Sequence, residues 1–435
     1  MPARRCPKVR CRPTIPPARR PDKQTRSQSA TMIPRRETRQ VHVGPVPIGG
    51  GAPVSIQSMT STCTHEIDRT VAQIHALARA GADIVRVAVP DPKDTQALRH
   101  ILPQVPVPIV ADVHFHFQRA MEAVEAGVHK IRLNPGNIQD RNQVDRVIRA
   151  CREHRIPIRV GVNEGGIVER KDKQKRAAEK AKLDEGRADH LIALMLEKLD
   201  DYLRIFDEND FADVVLSAKS IDPRIAIDAY TAISARHDFP LHLGVTHAGP
   251  KETGCIRSVV ALGTLLARGI GDTVRISYAS DPVLEVEDAR ELLNCLGLRA
   301  RIEPELIACP TCGRIEVDLM TLVKQVREKL ATIKTPIKVA VMGCVVNGPG
   351  EAEGADVAIF AGKGRGIIYV QGEQTRTVTE DKMLEALYEE CLALADKIER
   401  GTAALGGGAV TIAPPDPLPR SDGTLPLPVV SERKP

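Results

Sequence analysis

The sequence predicts an α/β protein in which a (β/α)8 TIM barrel is followed by a smaller α+β domain. Two observations carry the barrel. From about Val54 to Leu298, short runs rich in β-branched residues alternate with longer amphipathic segments. These runs number eight, and eight over roughly 250 residues is the pattern of a (β/α)8 barrel, whereas a doubly wound open sheet would not require eight units. A third observation carries the second domain. Helical patterns at Glu316–Leu330 and Asp381–Arg400 would pack on strands that include Ile337–Val341 and Gly366–Val370. The expected boundaries are 36–298 for the barrel and 299–400 for the second domain, with a basic arm over 1–35 and a tail over 401–435.

Taken in order, the barrel strands are Val54–Met59, Ile84–Val89, Ile109–Val113, Lys130–Leu133, Ile158–Val162, Val214–Ala218, Leu241–Val245 and Thr273–Ser277. Most are followed by a helical pattern, such as Glu66–Ala80, Arg141–His154 or Glu285–Leu296. The flanks are different in kind. Met1 to Ala30 holds nine Lys or Arg against one acid, Asp22, and shows no hydrophobic periodicity, so disorder is expected there. The arm reads as a natural tail, as a transit-like segment, or as the product of an upstream start codon, with Met32 standing just before the ordered pattern. The Gly- and Pro-rich tail from about Gly401 also reads as disordered.

Composition excludes several classes. The net charge of +5 resides in the arm, and aromatics make up only 3% with no Trp. Neither a basic surface nor a stacking platform for nucleic acid is therefore expected. No apolar run approaches the roughly 18–20 residues of a membrane span; Val259–Ala267 is the longest candidate. The N-terminus lacks the apolar core of a secretory signal. A cytoplasmic protein with no membrane partner is expected, and in a reducing compartment its ten cysteines read as ligands or catalytic groups rather than disulfides.

Active sites of such barrels lie at the C-terminal ends of the strands. Read in order, those ends present Gln57 and Ser58, Arg86, Asp112 and His114, then Arg132, Asn134 and Asn137. Arg159 and Asn163, Lys219, Thr246 and His247, and finally Arg275 and Ser277 complete the set. Single members could be solvated or ion-paired. Five cations on five strands, Arg86, Arg132, Arg159, Lys219 and Arg275, suit a dianionic or diphosphate ligand, because guanidinium forks bind phosphate oxygens in pairs. The Asn134–Asn137 run would add N–H and amide donors at the same rim. The highly charged stretch Glu169–Arg187, within the segment 164–190, reads as a solvated helix or loop or as a lid over the mouth.

Cys309-Pro-Thr-Cys312 forms a C-x-x-C turn, and Cys344 follows the strand pattern Ile337–Val341 in a Gly- and Pro-containing loop that runs to Glu351. A zinc ribbon needs a fourth Cys or His at short spacing, and none follows Cys344. A thioredoxin-like pair would leave Cys344 without a role, and buried cysteines fit poorly among Pro, Gly and Thr. An iron–sulfur cluster fits best, since thiolates suit its iron and irregular loops leave N–H groups for the sulfides. Three cysteines leave one iron for an oxygen ligand or substrate, which points to chemistry at that iron. Cys6, Cys11, Cys63, Cys151, Cys255, Cys295 and Cys391 receive no functional role.

Cys309–Arg314 together with Met342–Ala352 closely resembles the 4-hydroxy-3-methylbut-2-enyl diphosphate synthase family of the methylerythritol phosphate route to isoprenoids. The resemblance extends through Gln57–Ser61, Val85–Pro90, Ala111–Phe115, Ile131–Asn137 and Gly271–Ser277, and covers roughly Arg36 to Glu399. It implies reductive ring opening and dehydration of 2-C-methyl-D-erythritol 2,4-cyclodiphosphate. It further implies a 4Fe–4S cluster on Cys309, Cys312, Cys344 and an exchangeable Glu351, electrons from ferredoxin or flavodoxin, and a homodimer. By the same resemblance, Arg86, Arg132, Arg159, Lys219 and Arg275 bind the diphosphate, and Asn163, Ser277 and Asn347 are polar contacts. One departure stands out. The family has Thr-Glu-Ala-Gly where this chain has Thr246-His247-Ala248-Gly249. Histidine changes charge near physiological pH, so it can donate a proton to a leaving hydroxyl; a tolerated replacement without that role stays open. Two other readings compete with the resemblance. A radical enzyme using S-adenosylmethionine would show C-x3-C-x-x-C, which is absent, and a zinc-stabilised binding module is favoured only by the basic arm.

Overall fold

The computed structural model describes residues 33–113, 116–133, 138, 140–164, 187–344, 348–362 and 364–406. It divides into two units between Arg299 and Ala300. The first begins with a hairpin, β1 (Gln40–Val43) and β2 (Val46–Gly49). Eight further strands follow: β3 (Ser55–Met59), β4 (Ile84–Ala88), β5 (Ile109–Asp112), β6 (Lys130–Arg132), β7 (Ile158–Asn163), β8 (Val214–Lys219), β9 (His242–Leu243) and β10 (Thr273–Val274). They form one parallel sheet in the order β8-β7-β6-β5-β4-β3-β10-β9, and a parallel bridge from Leu216 to Leu241 joins its two ends. The sheet thus comes round on itself as a TIM barrel. All eight expected strands are present.

Alternation along each strand explains why the barrel closes. Val85, Val87 and Val89, or Val214, Leu216 and Ala218, belong to the apolar core that includes Ile74 and Leu77 of the helix Ile67–Ala80. Each such side chain contributes roughly 1.5–3 kcal/mol when fully buried. The residues between them face inward, and many are polar. Helix starts follow a repeated Asp-Pro signal. Asp222 and Asp281 cap the helices Pro223–Arg236 and Pro282–Cys295 by accepting the N–H of Arg224 and Val283, with proline at the first helical position.

The hairpin has no counterpart in the expected element list, because its Gly- and Pro-rich sequence reads as loop. Gly44, at φ 55°, takes the first of two turn positions, a conformation open to glycine at little cost. Val43 and Ile48 pack on Ile84 and Val110, near the starts of β4 and β5. The hairpin thereby covers the N-terminal end of the barrel with apolar side chains.

The second unit is a five-stranded sheet in the order β11 (Glu305–Ala308), β12 (Lys338–Met342), β13 (Val357–Gly362), β14 (Arg365–Val370), β15 (Glu373–Thr379). The first three are parallel and the last two antiparallel. Helices Leu319–Leu330 and Met383–Glu399 cover one face through Leu322, Val326, Leu387 and Leu394. The first starts at Leu319 rather than at Glu316 because Asp318 accepts the N–H of Thr321 and ends the preceding loop there. On the other face Phe360 and Tyr369 meet edge to face, with centroids 5.3 Å apart.

Candidate active site

Four of the expected cations lie on strands of the barrel, at positions alternation turns inward: Arg86 on β4, Arg132 on β6, Arg159 on β7 and Lys219 on β8, all buried. Arg275 follows β10 and is mostly buried. The structure brings them together around few acids. Asp112 lies 3.7 Å from Arg86 Nε and 3.5 Å from an Arg132 terminal nitrogen. Glu285, from the helix Pro282–Cys295, lies 3.7 Å from Arg275, and burial raises its carboxyl pKa although Arg275 opposes the shift. Arg159 donates to Ser217 Oγ at 3.2 Å, and Arg86 reaches Met59 Sδ at 2.9 Å.

Cations crowded in this way weaken one another's charge. Burial first, then Arg159, Arg275 and Arg86, hold the Lys219 ammonium well below the ordinary lysine range. Burial and Arg86 bring Arg275 down to about 10, and burial depresses Arg159 and Arg132 as well. Two paired acids against five cations leave an excess of positive charge that a dianion would balance. The room for Lys219 depends on Gly244: a Cβ there would stand 2.6 Å from Lys219 Nζ, so any larger residue would displace the ammonium.

Asn163 ends β7 half-buried, and Ser277 donates to the Val245 carbonyl at 3.3 Å. His247 is exposed, with Nδ1 3.1 Å from Thr246 Oγ1. Its backbone sits at φ 52°, in the left-handed region that costs a non-glycine residue about 1 kcal/mol. Such strain is characteristic of residues held in place for a task. His114, Asn134, Asn137, Asn347 and most of the charged segment 164–190 lie outside the described residues. Glu164, at the edge of that segment, accepts from Ser220 Oγ at 2.7 Å.

Sequence reasoning passed over a deeper layer. Lys130 and His242 are fully buried on the inward faces of β6 and β9, and among the described residues neither Lys130 Nζ nor either ring nitrogen of His242 has a hydrogen-bond partner. Gln57, expected at a strand end, is buried with both amide atoms unpartnered. The signal was in the spacing: Lys130 stands two residues before Arg132, on the same face.

In the second unit the expected ligands cluster at strand ends. β11 and β12 are parallel neighbours, with Ala308 opposite Val341, so Cys309 and Cys344 emerge from adjacent strand ends. Cys309 Sγ accepts the Gly343 N–H at 3.2 Å, the kind of bond that stabilises a thiolate. Cys312 is exposed in the turn beyond, and Glu351 closes the short helix Gly348–Glu351, also exposed. No described cysteine forms a disulfide. Among the described residues no three His, Cys, Asp or Glu side chains converge as ligands of a single ion. A multi-iron cluster attaches each thiolate to a different iron and asks only that the sulfurs surround a common space. The donor set fits such a cluster: soft thiolates on irregular loops, one already supplied with a backbone N–H.

A TIM barrel with a cation-lined mouth, on a chain that also carries thiolates at adjacent strand ends, defines a barrel enzyme for a multiply anionic ligand. The profile of the GcpE TIM-barrel domain matches residues 38–290, and that of the GcpE protein C-terminal domain matches 305–393. The chain belongs to the GcpE family. The 4-hydroxy-3-methylbut-2-en-1-yl diphosphate synthase (flavodoxin) of Geobacillus thermodenitrificans is 45% identical over 383 residues, 87% of this chain and 99% of that protein. The same-named protein of Symbiobacterium thermophilum is 46% identical over 82% of this chain and 93% of its own length. Among solved structures, a dihydropteroate synthase of Yersinia pestis covers 59% of this chain and 97% of its own at 10% identity and a TM-score of 0.41, too slight a likeness to argue from. The family resemblance read from the sequence is thus borne out.

Proposed function

We propose that this chain converts 2-C-methyl-D-erythritol 2,4-cyclodiphosphate to 4-hydroxy-3-methylbut-2-enyl diphosphate by reductive ring opening and dehydration, with flavodoxin or ferredoxin as electron donor. Family membership supports the reaction. The observation that carries the site is the convergence of five cations, on or just after five strands, around two paired acids among the described residues. Arg86, Arg132, Arg159, Lys219 and Arg275 bind the two phosphates, and Asn163 and Ser277 orient the carbon skeleton. Because the donors sit on strands rather than on loops, the reacting bond is held without reorganisation.

Cys309, Cys312, Cys344 and Glu351 would hold a 4Fe–4S cluster. Bound there, the cluster supplies single electrons and a Lewis-acidic iron to the C–O bond being broken. His247, braced by Thr246, is assigned to donate a proton to the leaving hydroxyl. Asn347 is assigned to a polar contact in the same chemistry. Ile256, Val259 and Val260 form an exposed apolar stripe on the helix Lys251–Ala267, which supports a homodimer; sedimentation at micromolar concentration tests it.

Anaerobic purification tests the cofactor. A brown protein with about four irons per chain is expected, and a colourless zinc protein would overturn the reading. Turnover with a chemical reductant then separates it from a radical enzyme on the same scaffold.

A further inference from the structure

Below the mouth lies a charged group for which the reading above has no use. Lys130 begins β6, and its Cα stands about 6.6 Å below that of Arg132 along the strand, on the same inward face. It is fully buried, and its Nζ has no hydrogen-bond partner among the described residues. Its register partner on β5 is Val110, which packs on the hairpin residues Val43 and Ile48. The layer is therefore backed by apolar side chains, and its ionisable neighbours come from the strands around it.

Those neighbours are Arg86 on β4, Asp112 on β5, Arg132 on β6, Arg159 on β7, and His242 on β9. Further round the barrel stand Lys219 and Arg275, with Glu285 and Tyr230 contributed by helices; Tyr230 donates its hydroxyl to the His242 carbonyl at 2.6 Å. Asp112 is engaged by Arg86 and Arg132, and Glu285 by Arg275. Among the described residues, an ammonium at Lys130 would thus share the interior with guanidiniums and have no carboxylate of its own, an arrangement that favours the neutral amine. Burial, Arg159 and Arg86, in that order, depress its protonation strongly. A dianion docked among Arg86, Arg132 and Arg159 reverses the local sign. At about 10 Å and an effective dielectric of about 20, two negative charges move an amine's midpoint by more than about one pH unit.

We infer that Lys130 is a further, buried member of the diphosphate site, which takes up a proton as the dianion docks above it, so that substrate binding and protonation are coupled. The inference rests on the reading of the mouth as the diphosphate site. Lys130 acts at a distance from the ligand, as a positioning charge, and affinity should weaken as pH rises through the range in which only the bound form keeps the proton.

Titration calorimetry on the full-length, cluster-loaded protein tests this near pH 8 in buffers of different ionisation enthalpy. The cyclic diphosphate is a suitable probe, because each of its phosphorus atoms carries one ester and one anhydride bond and a single strongly acidic group, so its charge is fixed and it contributes no proton of its own. The wild type should take up protons on binding. Lys130→Met should lower the uptake by about one proton and weaken binding about tenfold, and its affinity should vary less with pH; uptake at Lys219 persists in both proteins. Equal uptake in the two proteins, with binding intact, would overturn the inference. Binding heats of the wild type that do not change with buffer would overturn it without any variant, and Lys130→Gln serves where Lys130→Met does not fold. Failure of the wild type to bind the probe at all would instead sink the reading of the mouth.

Discussion

The interior of the barrel and the core of the second unit solve opposite problems. In the barrel, apolar side chains point outward to the helices, and the enclosed space holds Lys130, Arg159, Lys219 and His242, all buried. In the second unit the sheet is apolar on both faces, with Val339, Val341 and Ile359 on one and Met342, Ala358 and Phe360 on the other. The residues proposed to carry its chemistry, Cys309, Cys312, Cys344 and Glu351, stand after strands, in a turn and on a short helix, buried only in part or exposed. One unit gives up stability to preorganise charge, since unbalanced buried cations cost several kcal/mol each. The other keeps an ordinary core and leaves its proposed ligands where a large inorganic group can be reached. On the proposed function, binding energy and redox chemistry are drawn from regions of different physical character, and substitutions should separate them.

The largest expected effect lies in the second unit. Cys344→Ser should remove the iron and lower turnover by about three orders of magnitude or more, while the cyclic diphosphate still binds within about tenfold of wild type. Iron analysis and calorimetry on one preparation check both halves, and loss of binding along with the iron would show that the two regions do not divide the work. Next comes the barrel. Arg159→Met should raise KM for the cyclic diphosphate about 100- to 1,000-fold, or about 3–4 kcal/mol, in the range for a buried charge pair. Iron content should stay unchanged, and the melting temperature of the ligand-free protein should not fall, because a buried charge without an acid of its own is being removed. A lowered melting temperature with unchanged KM would make Arg159 a structural residue.

His247→Gln should lower kcat by about 100-fold, with KM changed only a few-fold and the pH profile altered. Turnover equal to wild type across pH would leave His247 as a tolerated replacement. The smallest effect concerns stability. Burial first, and then the nearby Arg159 guanidinium, hold the His242 imidazole well below the ordinary histidine range. The unfolded chain therefore binds a proton there below about pH 6.5 that the folded chain does not, and folding stability falls as pH drops. The contribution is about 1.4 kcal/mol per pH unit. Urea melts between pH 7 and 5.5 should show this slope in the wild type and less of it in His242→Gln.

Much of this contrast was legible in the sequence. Most barrel strands are legible as runs rich in β-branched residues, and Arg132 and Lys219 do end their strands, whereas Arg86 lies within β4 and Arg159 is the second residue of β7, below the strand end expected for it. The C-x-x-C pair and Cys344 were legible through spacing and through the Pro and Gly around them. Lys130 and His242 were passed over because attention to strand ends ignores inward residues one layer down. The hairpin was missed because Gly44, Pro45, Pro47 and Gly49–Gly51 imitate a loop. Glu351 had no local signal at all, since one acid after a Gly-Pro-Gly turn looks solvated, and its assignment came from the resemblance alone.

The division of labour is tested most directly by turnover itself. The anaerobically purified protein would be reduced chemically and given 2-C-methyl-D-erythritol 2,4-cyclodiphosphate, with the products followed by phosphorus NMR. The account predicts that the two cyclic diphosphate resonances give way to those of a linear allylic diphosphate, in the iron-loaded wild type and not in Cys344→Ser. Iron-loaded, reduced wild-type protein that binds the cyclic diphosphate and leaves it intact would contradict it.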